Sequence, residues 1–88
     1  MKTIIKDGNI QTVFYNDEDP SIGEIQKLVG GYAGHIYWKD SVVVFDERGI
    51  EKNYEYNLKA SAIVGIGLVG NVGIIAFDKF LPDGETLQ

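Results

Sequence analysis

The chain has 88 residues, no cysteine, 44% apolar and 24% charged residues, and a formal net charge of −5. That length makes one domain with a small core, because a chain of this size buries only about 60–65% of its unfolded surface. The missing cysteine excludes disulfides, thiolate metal sites and thiol catalysis. Eight basic residues scattered among thirteen acidic ones lack the clustered cations that general nucleic-acid binding requires.

The apolar content argues against disorder over most of the length. Residues Met1 to Asp7 contain no hydrophobic leader region. The longest apolar stretch, Ala60 to Phe77, is broken by Ser61, Asn71 and several glycines, unlike a membrane span. A staple-free domain of this kind is expected in a reducing cytoplasm, the host cell's if the gene is phage-borne, with no membrane partner. Asp17-Glu18-Asp19 is a tight acidic cluster, but the remaining acids are too dispersed to imitate DNA.

In chain order, Lys2–Lys6 and Ile10–Tyr15 read as two strands joined at Asp7-Gly8-Asn9, a sequence that tolerates positive φ. Ser21-Ile22-Gly23-Glu24 has capping-box spacing, and Asp19 with Pro20 offers an alternative start. Ile22, Ile25, Leu28 and Val29 fall on one stripe, predicting a helix of about ten residues that Gly30-Gly31 terminates. Tyr32–Lys39 and Ser41–Asp46 read as strands. Val42-Val43-Val44-Phe45 is apolar at every position, which predicts a central strand covered on both faces. Glu51–Tyr56 reads as an edge strand. Asn57 is positioned to cap a short helical turn over Leu58–Ala62. Val72–Phe77 is the last strand, and Pro82-Asp83-Gly84 signals a turn in the tail. The expected architecture is α+β: one small, mostly antiparallel sheet with the main helix packed on one face and a short second helical turn. Residues 1–80 form the domain and 81–88 a tail.

Leu28-Val29-Gly30-Gly31-Tyr32, Asn57-Leu58-Lys59-Ala60-Ser61 and Val69-Gly70-Asn71-Val72 together resemble a family of small proteins of unknown function found in phages and plasmids. The resemblance spans residues 20–77. Members of that family often continue Gly-Gly-Tyr with Ile and an acidic residue, where this chain has Ala33-Gly34-His35. The resemblance implies a mobile-element origin and a compact α+β fold, and brings no agreed activity. Small phage proteins of this size often act as anti-defence factors, some of them sponges that capture an immune nucleotide without cleaving it.

No catalytic constellation is legible. His35 is the sole histidine, and the bland reading is a half-exposed strand residue, since no spacing demands that Asp40 or Asp46 join it on a metal. None of Ser21, Ser41 and Ser61 lies in a nucleophile-elbow context. Gly65-Ile66-Gly67-Leu68-Val69-Gly70 matches Gly-x-Gly-x-x-Gly but precedes a strand rather than a helix, which excludes a dinucleotide fold. Its glycines are either turn and close-packing residues, the favoured reading, or an amide nest for an anion. Alternation puts Tyr32, Gly34, Ile36 and Trp38 on one face and Ala33, His35 and Tyr37 on the other. Those aromatics suit a subunit interface or base stacking. Arg48, the sole arginine, either captures a phosphate or carboxylate or caps a turn through Asp46 or Glu47.

The expectation is therefore a non-enzymatic binding protein, homo-oligomeric and without cofactor or metal, that sequesters a small nucleotide-derived signal. Its expected ligand-binding residues are Tyr32, His35, Tyr37, Trp38, Arg48, Asn57, Lys59, Ser61, Gly70 and Asn71. Arg48 and Lys59 would meet phosphate, Asn57 and Asn71 would read polar edges, and Tyr37 or Trp38 would stack. The alternative is a protein–protein inhibitor or adaptor that meets a host enzyme through an acidic, aromatic surface.

Overall fold

The computed structural model describes residues 2–77. The predicted tail and its turn at Pro82-Asp83-Gly84 lie outside them. Five strands, β1 (Lys2–Asp7), β2 (Ile10–Tyr15), β3 (Ala33–Trp38), β4 (Ser41–Asp46) and β5 (Val72–Ala76), form one sheet in the order β1-β2-β5-β4-β3. Pairing is antiparallel except between β2 and β5. The helices are α1 (Ile22–Val29) and α2 (Leu58–Val64). The α+β architecture read from the sequence is the observed one.

Local chemistry explains most boundaries. Gly8 adopts φ 66° in the tight turn between β1 and β2. Ser21, rather than Asp19, caps α1 by accepting the Glu24 amide, and Gly30 closes the helix in the left-handed region at φ 95°. Asn57 caps α2 by accepting the Ala60 amide.

The two faces of the sheet are covered by different elements. Val13, Tyr15, Val42, Val44 and Ile75 pack beneath α1, against Ile25 and Leu28. Val43, Val72 and Ile74 pack on the opposite face with Ala60 of α2, Leu68, Ile63 and Val64. The second helix therefore supplies Ala60, Ile63 and Val64 to the core of this face, a larger role than a short turn implies. This double cover is why Val42, Val43 and Val44 are all fully buried. Gly73 in β5 permits it on the α1 side, because a Cβ there would meet Val44 Cγ2 at 2.9 Å and Leu28 Cδ2 at 3.2 Å.

One predicted strand is absent. Glu51–Tyr56 belongs to a run of turns, and Tyr56 makes only an isolated bridge to Val69. The backbone folds on itself instead: the Lys52 amide donates to Arg48 O, the Asn53 amide to Ile50 O and the Tyr54 amide to Gly49 O. Asn53 takes φ 60°, which ends any extended run. The alternation of polar and aromatic residues there reflects turn positions rather than a pleat.

Candidate functional site

The loops gather at the end of the sheet where β2 and β5 begin and β4 ends. There the C-terminus of α1, residues 47–57 and Gly70-Asn71 meet, so the three motif segments converge. Most of their polar groups are committed to one another. Asn57 is 2% exposed; its side chain accepts from the Ala60 amide and donates to Thr12 Oγ1 at 3.1 Å and to Gly70 O at 2.9 Å. Asn71 accepts the Gln11 amide at 2.9 Å and donates to Leu28 O at 2.9 Å. The Leu68 amide donates to Ser61 Oγ at 2.8 Å. These side chains join distant segments of backbone, and buried polar groups so satisfied hold a fold together.

The glycine-rich segment is structural as well. Gly65 is the C-cap of α2, and its amide donates to Ser61 O. The Gly70 amide donates to Glu55 O, and the Tyr54 ring packs where a Gly70 side chain would stand. An anion nest needs amides directed outward. The Gly65 and Gly70 amides are directed inward.

Beside this lattice lies a cleft of about 430 Å³ lined by Gln26, Gly31, Tyr32, Asp46, Arg48 and Lys52. Its deepest group is the Asp46 carboxylate, on a side chain 2% exposed. Oδ1 accepts the Arg48 amide at 2.9 Å, and Oδ2 accepts Lys52 Nζ at 2.7 Å. Lys52 Nζ also donates to Gly30 O at 3.1 Å. A Cβ on Gly31 would lie 2.8 Å from Lys52 Nζ, so a side chain there would displace the ammonium from its present place. Burial pushes the Asp46 carboxyl up, but hydrogen bonds from Lys52, the Arg48 amide and Tyr54, with the Lys52 charge, hold it below its ordinary value. Hydrogen bonding to Asp46 raises Lys52 above its own.

At the mouth stand two of the expected ligand residues. Tyr32 is 75% exposed, and the Arg48 side chain is 69% exposed, with Glu51 at a loose 3.8 Å. The turn-capping role weighed for the Arg48 side chain falls instead to its backbone amide and to Lys52. A second cleft of about 310 Å³ lies nearby, lined in part by Lys27, Gly30, Tyr54, Glu55, Gly70 and Asn71.

The other expected residues are elsewhere. His35 and Tyr37 project from β3 on the α1 side of the sheet, ring centroids 5.6 Å apart, and Tyr37 meets Phe77 edge-on at 5.5 Å. Trp38 lies on the opposite face, half-buried against the α2 cluster with Lys39 Nζ 5.0 Å from its ring. Lys59 is exposed on α2. The ten residues thus divide among an internal lattice, a cleft mouth, an edge-strand row and a lone lysine. Asp46, Lys52, Gln26 and Gly31, which shape the cleft, were not among them. Nothing in the sequence marks Lys52, since it reads as part of an edge strand while its partner lies six residues back.

Among the described residues no His, Asp or Glu cluster of three or more is placed to hold a metal ion, and no helix is long and apolar enough to cross a membrane. No protein-family model, curated protein or solved structure matches this chain.

Proposed function

We propose that this chain is a non-enzymatic binding protein whose site is the cleft between Tyr32 and Arg48, and that its ligand is a small nucleotide-derived signal. The juxtaposition of an exposed ring and an exposed guanidinium across one cleft carries the reading. The Tyr32 ring offers a stacking face, and Arg48 offers a planar fork for a phosphate. A volume of about 430 Å³ falls within the roughly 300–1,000 Å³ of small-ligand sites. A net charge of −5 repels anions at long range, so capture depends on this local geometry. Lys52 adds little attraction, because its charge is paired with Asp46. The motif resemblance supports a mobile-element setting, in which sequestering an immune nucleotide is a useful act for a small homo-oligomer in the host cytoplasm.

The test is native mass spectrometry of protein purified from bacteria, followed by thermal shift against mono-, di- and cyclic nucleotides. A retained nucleotide, or a shift that Tyr32→Ala and Arg48→Ala each abolish, supports the reading. No retained compound and no shift across the panel overturns it.

A second reading has its own observation. Tyr and Arg are favoured interface anchors, and Tyr32, Tyr37 and Tyr56 are all more than half exposed. A protein–protein inhibitor would use such a surface. A stoichiometric protein partner recovered from host lysate, lost in Tyr32→Ala, with no bound nucleotide, favours this reading over the first.

A further inference from the structure

The two arms of the cleft flank the hairpin of β3 and β4, one before β3 and one after β4, and one buried carboxylate is tied to both. On one arm Asp46 Oδ1 holds the Arg48 amide at 2.9 Å. Towards the other, Oδ2 holds Lys52 Nζ at 2.7 Å, and Nζ reaches Gly30 O at 3.1 Å, two residues before Tyr32. The arms extend the paired ends of these two strands, where Ala33 faces Asp46, and the Glu47 amide continues that ladder by donating to Tyr32 O at 3.1 Å. The backbone passes close to the pair at Gly31, where a Cβ would approach Asp46 Oδ2 at 3.1 Å.

We infer that Asp46 and Lys52 are the positioning residues of this site: together they clamp the Gly30–Tyr32 arm to the Glu47–Arg48 arm and so fix the gap a ligand must span. The inference rests on the reading of the cleft as a binding site, but the clamp is observable without any ligand. A ring and a fork bind one ligand tightly only when their separation is fixed beforehand, because otherwise association must also order both arms. The Lys52 side chain carries the link past the end of the β3–β4 ladder to Gly30, so its loss leaves only the ladder and the Glu47–Tyr32 hydrogen bond between the arms. With its ammonium held by Asp46 and Gly30 O, Lys52 contributes chiefly through the geometry it imposes.

The experiment compares the wild type with Lys52→Met, Lys52→Arg and the double variant Asp46→Asn/Lys52→Met, which leaves no unpaired buried charge if the single change fails to fold. Amide hydrogen exchange is read at Glu47 and Arg48 against Val72–Ala76 of β5, and binding of adenosine 5′-monophosphate is titrated. That probe carries one base and one phosphate. The clamp requires at least tenfold faster exchange at Glu47 and Arg48 in Lys52→Met or the double variant, with β5 unchanged. It also requires at least tenfold weaker nucleotide binding, restored by Lys52→Arg. Unchanged exchange at Glu47 and Arg48 overturns the inference, as does nucleotide binding that persists in Lys52→Met. If the wild type does not bind the nucleotide, the failure belongs to the choice of ligand class, and the exchange rates alone decide the clamp.

Discussion

Two neighbouring regions of this protein are both polar and both drawn from glycine-rich segments, yet they differ in what their polar atoms do. Around Asn57, hydrogen bonds run from side chain to distant backbone, and the buried side-chain nitrogens and oxygens among the described residues all have partners. At the cleft mouth, the Tyr32 ring and the Arg48 guanidinium face solvent. The lesson is that a polar residue in a small domain is a ligand reader only after the fold's own requirements have been met. In a chain this short those requirements consume most of the candidates.

The contrast breaks first at Asn57. Replacing it with alanine removes a helix cap and leaves Thr12 Oγ1 and Gly70 O short of a buried partner. A loss of about 3 kcal/mol is expected, from about 1 for the cap and 1–3 for the stranded groups. Each kcal/mol lowers the melting temperature of a domain this size by roughly 4–8 °C, so calorimetry should show a fall of more than ten degrees. If Asn57→Ala melts like the wild type, the lattice is not what holds these loops.

A slightly smaller effect is expected at Gly73→Ala, where the new methyl meets Val44 and Leu28. Overpacking of this kind costs about 1–3 kcal/mol, and chemical denaturation should record it as a lower midpoint at unchanged slope.

Acid should discriminate the regions next. The Asp46 carboxyl sits below its unfolded value, so its contribution is complete above the ordinary carboxylate range and is lost as pH falls through the lowered folded value. Lys52, raised in the fold, contributes below its ordinary value and loses that contribution as pH rises through the raised one. Tyr15 is raised by burial, with Glu24 and Glu18 adding to it, so stability also declines as pH climbs past the ordinary tyrosine range. Asp46→Asn should flatten the acid limb of a stability–pH curve and leave the alkaline decline at Tyr15 in place. An acid limb unchanged in that variant removes Asp46 from the account.

The smallest stability effect belongs to the cleft mouth. Arg48→Ala should stay within about 0.5 kcal/mol of the wild type, because an exposed side chain with a loose ion pair adds little. Arg48→Lys should be equally stable and still lose phosphate affinity, since an ammonium cannot reproduce the planar fork.

Much of the fold was legible in the sequence, and for identifiable reasons. Ser21 and Gly30 delimit α1 by chemistry that acts within one turn, and the unbroken apolar run at Val42–Phe45 announced cover on both faces. The turn continuing over residues 51–53 was read as strand because Tyr54 and Tyr56 alternate with polar neighbours, while the carboxylate that folds it, Asp46, lies upstream. The site was half legible. Tyr32 and Arg48 were singled out and do meet at one cleft. Asn57 and Asn71 look like readers of a ligand's polar edges because their partners, Thr12 and Gln11, lie 45 and 60 residues away. No local pattern reveals that a side chain is already occupied across such distances.

The most direct measurement is scanning calorimetry of the Tyr32→Ala/Arg48→Ala double variant, alone and with the nucleotide that shifts the wild type most. The account expects the unliganded melting temperature to match the wild type within a few degrees and the nucleotide-induced shift to vanish. A large fall in the unliganded melting temperature, or a shift that survives the double substitution, would contradict it.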